Sequence, residues 1–186
     1  MILAQFILKP LEANAFILGC PDTREAMLID AGECDPRFNA FLQEHGLTLT
    51  TLFITHTHYD HVDGLPEIVA KVNPRVYSFH DEVKGCKTHR LEHGNTIRFA
   101  KLEGEVFHVP GHIEDMLCLY FPGMLFSGDA LFAGSVGGTN TPENYQLQID
   151  GILQHLFPLP GETLVHCGHG PSTTIAIERD HNPFFH

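Results

Sequence analysis

Leu52-Phe53-Ile54-Thr55-His56-Thr57-His58-Tyr59-Asp60-His61 is the stretch on which the reading of this chain turns. The apolar run Leu52 to Ile54 reads as a buried strand, and the polar cluster after it then sits on a strand-end loop. Three histidines and one aspartate fall within six residues there. Imidazole nitrogens and carboxylate oxygens are the ligands that suit zinc, iron or manganese. A loop can turn four such side chains toward one or two points in space. A solvated polar turn is the bland alternative, and scattered surface histidines rarely reach this density.

Working outward, three more candidate ligands stand in similar settings. His112 lies in His108-Val109-Pro110-Gly111-His112, Asp129 in Phe126-Ser127-Gly128-Asp129-Ala130, and His169 in His166-Cys167-Gly168-His169-Gly170-Pro171. Each follows a short apolar run: Val106-Phe107, Met124-Leu125-Phe126 and Thr163-Leu164-Val165. Four strand ends carrying ligands fit a site built by loops on a rigid scaffold.

In order and spacing these motifs resemble the metallo-β-lactamase superfamily, whose His-x-His-x-Asp-His motif is followed by a distant His, Asp and His. The resemblance runs from Asn14 to Phe185. It implies an α/β (α+β) fold, a four-layer αββα sandwich, with metals at one edge. Carried over residue by residue, His56, His58 and His112 would hold a first metal. Asp60, His61 and His169 would hold a second, and Asp129 would bridge both. The implied cofactors are two divalent ions, zinc first, with iron or manganese as alternatives. Asp60 is also the candidate catalytic residue, orienting the attacking water or accepting its proton. Between His166 and His169 the Gly-His-Gly-Pro match selects His169; His108 is read as supporting rather than ligating.

The segment Gly128-Asp129-Ala130-Leu131-Phe132-Ala133-Gly134-Ser135-Val136-Gly137-Gly138-Thr139 narrows the resemblance to the small glyoxalase II-like (hydroxyacylglutathione hydrolase-like) enzymes, as does Gly168 to Ile175. That implies hydrolysis of a thioester such as S-D-lactoylglutathione by a metal-bridging hydroxide. Three departures bear on substrate. The C-terminal helical domain of larger glyoxalase II enzymes is not matched. Gly138 and Asn140 stand where relatives often carry Arg or Lys and then an acid or aromatic residue. Ile113-Glu114-Asp115-Met116 replaces the usual Thr-Pro-Gly-Ser and brings two acids beside His112. An anionic thiol is therefore less welcome here. Two rival readings use the same motifs: a persulfide dioxygenase with a single iron, and a non-catalytic metal-binding module on an inherited fold.

Composition bounds the rest. At 186 residues, a single metallo-β-lactamase-like domain over 1–186 is the simpler division. Hydrophobic residues are 43% and charged residues 18%, an ordinary globular balance. A formal charge of −12 argues against a nucleic-acid partner, since phosphate backbones need a basic face. The partner that the resemblance implies is a small-molecule thioester. Five cysteines without a CxxC pair point to a reduced, cytoplasmic setting, and Cys167 reads as a small buried residue beside the site. The N-terminus lacks the marks of a signal peptide, is too short to span a membrane, and reads as a first strand.

Along the chain, Ile2 to Leu8, Ala15 to Leu18 and Ala26 to Ile29 form an expected meander. A helix follows, with Asp35 capping, Pro36 at its first position and Gly46 beyond its end. Its inward stripe is Phe38, Phe41, Leu42 and His45. Further helices are expected over Val62 to Val72, Asn144 to Phe157 with Leu147, Ile149, Ile152, Leu153 and Leu156 as the apolar set, and Ser172 to Arg179 capped by Ser172. Strands are expected at Leu52 to Ile54, at Val76 to Phe79, and as short pieces between Gly85 and Gly104. His80, His89, His93 and His181 read as solvated loop residues.

Overall fold

A computed structural model describes residues 1–185. Its contacts group into two compact units, Met1–Leu91 with Arg98–Leu102, and Glu92–Ile97 with the residues from Glu103 onward.

In the first unit, β1 (Ile2–Ile7), β2 (Asn14–Cys20) and β3 (Glu25–Ile29) form an antiparallel meander. Helix α1 (Pro36–Glu44) follows, and β4 (Thr48–Phe53) then lies parallel to β3. Next come α2 (Tyr59–Val62), α3 (Leu65–Val72), β5 (Arg75–Ser78), a two-strand ribbon of β6 (Glu82–Val83) and β7 (Cys86–Lys87), and β8 (His89–Arg90). The sheet order is β1-β2-β3-β4-β5-β8, and β3, β4, β5 and β8 run parallel. Strands β2 and β3 are almost continuously buried, as expected of a sheet covered on both faces. Ile17, Leu28, Leu52, Phe38, Leu65 and Ile68 share one apolar cluster.

Helix α1 forms as its sequence demands. The Asp35 carboxylate accepts from the Arg37 amide at 2.8 Å, Pro36 starts the helix, and Gly46 takes φ 62° just past its end. Phe38 is buried, but His45 at the C-terminus is exposed, because the last turn runs out over solvent. The single helix expected over Val62 to Val72 is two. Helix α2 begins earlier, at Tyr59, and the chain breaks at Asp63-Gly64, where the Gly64 amide donates to the Ala31 carbonyl at 2.8 Å and Pro66 restarts the helix.

The second unit's sheet has the order β16-β15-β12-β11-β10-β9. In chain order these are β9 (Thr96–Phe99), β10 (Leu102–His108), β11 (Leu117–Phe121), β12 (Met124–Gly128), β15 (Leu164–Cys167) and β16 (Thr173–Thr174). Between β12 and β15 come the ribbon β13 (Leu131–Phe132) and β14 (Ser135–Val136) and helix α4 (Pro142–Gly151), which continues into a π-helical turn, Ile152–Leu156. Helix α5 (Ile175–His181) follows β16, and a 3-10 turn, Pro183–Phe185, comes after it. Val109, Leu125, Ile149, Ile152, Leu156 and Val165 pack in one cluster.

The helices of this unit differ from expectation at two points. Leu147 and Leu153 are not part of the apolar set, being 49% and 48% exposed. Leu147 lies about 200° around the helix from buried Ile149, at about 100° per residue, so the two cannot both face inward. Helix α5 starts at Ile175 and is capped not by Ser172 but by Thr174, whose hydroxyl accepts from the Ile177 amide at 3.3 Å. Ser172 instead pairs with His166 Nδ1 at 2.9 Å, because Thr173 and Thr174 are already committed to β16.

Candidate metal centre

The direction of the strands collects the candidate ligands within each unit. Because β3 and β4 are parallel neighbours, Asp30 just after β3 and Thr55 to His61 just after β4 emerge at one edge. In the second unit, β10 and β12 are each antiparallel to β11, and β15 is parallel to β12. His112, Asp129 and His169 therefore all follow the same ends of their strands. Loops at the carboxyl edge of a sheet are the usual place for a site.

Asp30 organises the first half, although it lies 25 residues from Thr55 and 31 from His61. Its Oδ1 accepts from the Thr55 amide at 2.8 Å, and its Oδ2 accepts from Thr55 Oγ1 and from His61 Nδ1, both at 2.8 Å. Thr55 Oγ1, having given its proton to Asp30, accepts from His56 Nδ1 at 3.0 Å. Both imidazoles thus carry their proton on the outer nitrogen and turn a lone pair inward. The two inward atoms face further candidate ligand atoms: His61 Nε2 lies 3.6 Å from Asp60 Oδ2, and His56 Nε2 lies 3.1 Å from His58 Nδ1. The backbone is shaped to match. A Cβ on Gly32 would stand 1.8 Å from the Asp60 carbonyl, so only glycine lets the two loops approach this closely.

The second half repeats the logic with different parts. His112 Nδ1 donates to the Gly138 carbonyl at 2.7 Å, which leaves Nε2 its lone pair. Asp129 Oδ2 lies 3.4 Å from His112 Nε2 and 3.5 Å from His169 Nε2. Those separations exceed a hydrogen bond. They match the edge between two ligands of one tetrahedral cation, about 3.3 Å for bonds of about 2.0–2.1 Å. A single carboxylate oxygen thus faces both imidazoles. Gly137 is as tightly placed as Gly32, since its Cβ would meet the Asp129 carbonyl at 1.8 Å. The donor set therefore fits divalent metal on both sides, with the second-layer contacts that such ligands require.

The remaining residues fall outside this arrangement. His166 is buried against Phe126, with ring centroids 5.2 Å apart, and burial pushes its imidazole down to about 4. Cys167 is buried too, and burial pushes its thiol up to about 12. A thiol so raised is a packing residue. His108 Nε2 donates to the Glu114 carbonyl at 2.6 Å and so braces the loop around His112. His93 is not a bare loop residue, since its ring lies 4.3 Å from that of His155. Sequence reasoning missed Asp30, Thr55 and the Gly138 carbonyl. The signal for Asp30 was present, as a carboxylate at a strand end like Asp129.

The metallo-beta-lactamase superfamily pattern matches residues 8–169, and the chain belongs to that superfamily. It is 29% identical over 198 residues to the probable metallo-hydrolase YqgX of Bacillus subtilis, covering 94% of this chain and 93% of that one. It is 36% identical over 145 residues to a hydroxyacylglutathione hydrolase of Xanthomonas euvesicatoria, covering 77% of this chain and 56% of the relative. The chain spans 56–63% of the length of the curated hydroxyacylglutathione hydrolases it matches. Among solved structures, it is similar to the BLEG-1 B3 metallo-beta-lactamase (TM-score 0.87, 30% identity, 99% of each chain). ETHE1 from Myxococcus xanthus gives a TM-score of 0.85 at 31% identity, over 98% of this chain and 84% of that one. TTHA1623, solved in a di-iron-bound form, gives 0.80 at 30% identity, over 97% and 99%. The fold is thus of the metallo-β-lactamase type, and the histidine–aspartate clusters are those of a superfamily of metal-dependent hydrolases. No helix among the described residues is long and apolar enough to cross a membrane.

Proposed function

We propose that this chain is a dinuclear-metal thioesterase of the glyoxalase II-like type. One observation carries the reading: the imidazoles of His61, His56 and His112 are each held in the ligating tautomer, by Asp30, by Thr55 and by the Gly138 carbonyl in turn. In this proposal His56, His58 and His112 would hold one cation, Asp60, His61 and His169 the other, and Asp129 would serve both. Zinc is the first choice; iron remains a rival, given the di-iron relative. When bound, such cations supply a nucleophile at neutral pH by lowering the pKa of water, and polarise the carbonyl under attack.

The chain's own part is to place and to move protons. Asp60, buried beside His61, orients the water and takes its proton. A bond forms between water oxygen and acyl carbon, the carbon–sulfur bond breaks, and the proton passes to the departing sulfur. The products are a thiol and a carboxylic acid, which gives water's second proton to solvent and leaves as the carboxylate. The partner is a small thioester rather than nucleic acid, in keeping with the charge of −12. The five cysteines, none in a disulfide, suit the cytoplasm.

The test is metal analysis together with a thioester panel on protein purified with metal in plenty. Close to two metals per chain and release of free thiol are expected. One iron per chain with oxygen uptake on glutathione persulfide would favour the dioxygenase reading instead, and two metals without turnover of any thioester would favour a binding module.

A further inference from the structure

The amino ends of the first unit's parallel strands gather a second set of polar side chains, at the opposite strand ends from the His56 to His61 loop. A cavity of about 490 Å³ lies there, and every residue that lines it belongs to that unit. Its size falls within the ~300–1,000 Å³ range of ligand pockets. Glu25 opens β3, Thr50 and Thr51 lie in β4, and Arg75 opens β5. Asn73, just past the end of α3, and the stretch Arg98-Phe99-Ala100 complete the wall.

Strand register explains why these residues meet. Met27, Thr51 and Arg75 are partners across β3, β4 and β5, so their side chains share one face of the sheet. Glu25, two residues before Met27, points the same way. Thr50 would ordinarily point to the other face. At this residue, however, the register slips: Ala26 pairs with Leu49 and Met27 with Thr51, which leaves Thr50 as the extra residue. An irregularity of this kind re-aims a side chain, and here it brings both threonines to one cavity. Thr50 Oγ1 lies 3.4 Å from the Ala26 carbonyl and 3.5 Å from Thr51 Oγ1. Because β4 separates β3 from β5, the Glu25 and Arg75 backbones stand about 10 Å apart across the sheet and are offset by about 7 Å along it.

Several cations of this unit are already paired: Arg37 with Asp35, Lys71 with Glu67, Lys84 with Asp63 and Lys101 with Asp22. Glu25 and Arg75 are different. They line one cavity, yet among the described residues neither makes an ion pair, with the other or with any third group. An anion that reached Arg75 would also meet Glu25, and a cation at Glu25 would also meet Arg75 and Arg98. Opposite charges held apart across one cavity disfavour each singly charged ligand and favour one that carries both. The planar guanidinium of Arg75, with Asn73 two residues away, suits a carboxylate. The Glu25 carboxylate and the threonine hydroxyl oxygens suit an ammonium group.

We infer that this cavity binds a small linear zwitterion, an amino acid whose ammonium and carboxylate stand several bonds apart, with its carboxylate on Arg75 and its ammonium on Glu25. None of the candidate metal ligands lines the cavity, so such binding does not depend on the thioesterase reading.

The test follows the amide resonances of Thr51, Arg75 and Ala100 in the metal-loaded protein as 4-aminobutyrate, butyrate, butylamine or inorganic phosphate is added. 4-Aminobutyrate should bind about tenfold or more tightly than each of the other three. Glu25→Gln should weaken 4-aminobutyrate about tenfold while butyrate binds as well as before or better. Arg75→Gln should weaken it by a similar factor while butylamine binds as well as before or better. Those opposite responses separate a lost contact from a general loss of structure. The ranking of the four probes is read on the parent protein, so it tests the site even where a variant fails to fold. Equal affinity for the singly charged probes, tighter binding of phosphate, shifts confined to His56 to His61, or no shift with millimolar 4-aminobutyrate overturns the proposal.

Discussion

Replacing Asp30 by asparagine separates metal binding from folding. Asp30 is 2% exposed and accepts three hydrogen bonds at 2.8 Å, two from Thr55 and one from His61 Nδ1. Asparagine has the same shape, and its Oδ1 still accepts from the Thr55 amide. Its NH2 group, however, then occupies the place of Oδ2 and presents a donor to His61 Nδ1. The imidazole answers by moving its proton to Nε2, and the lone pair aimed past Asp60 is lost. Changes of this kind behind a metal ligand cost about 10–100-fold in affinity, or about 1.4–2.7 kcal/mol. The metal at His61 should therefore weaken by that factor, measured by competition with a chromophoric chelator, while the thermal melt of the metal-free protein shifts only modestly. Asp30→Ala should do worse on both counts. It strands buried donors on Thr55 and His61, and breaking such a buried network costs about 3–5 kcal/mol. If Asp30→Asn binds both metals within about twofold of the parent and keeps its turnover, the tautomer argument is wrong.

Three more outcomes are expected. Asp129→Ala should lose metal content and activity together, because one carboxylate oxygen faces both His112 and His169; metal analysis alongside turnover checks this. Gly138 is exposed, and a Cβ there meets nothing within 4 Å, so Gly138→Arg should fold normally. By supplying the missing cation it should raise kcat/KM on glutathione thioesters about tenfold, near 1.4 kcal/mol, more than on neutral ones in steady-state kinetics. His166 has an imidazole pushed by burial from 6.5 to about 4, so between those values the unfolded chain binds more protons than the folded one. Its contribution is complete above 6.5 and falls as pH drops toward 4, and in melting curves the acid decline should be shallower for His166→Gln.

The metal-binding character of this chain is legible in its sequence. A buried run ending in His56 to His61, and three later runs ending at His112, Asp129 and His169, are local patterns, and local patterns survive in one dimension. The same holds for α1, whose cap, first-position proline and terminal glycine all lie within a dozen residues. Contacts between distant residues are not legible there. Asp30 shows in sequence only as an acid at a strand end; its partners Thr55 and His61 are set when β3 and β4 lie side by side. Gly138 looks like a departure from a family pattern, yet its carbonyl orients His112, a role that any residue's backbone could fill. Helix α3 begins where the Gly64 amide meets Ala31, and Ser172 pairs with His166 instead of capping α5 because β16 takes up the next two residues. Residue type and spacing determined which chemistry the chain can hold. Which nitrogen of each imidazole is free to perform it was decided by tertiary structure, because a tautomer is set by the partner on the other side of the ring.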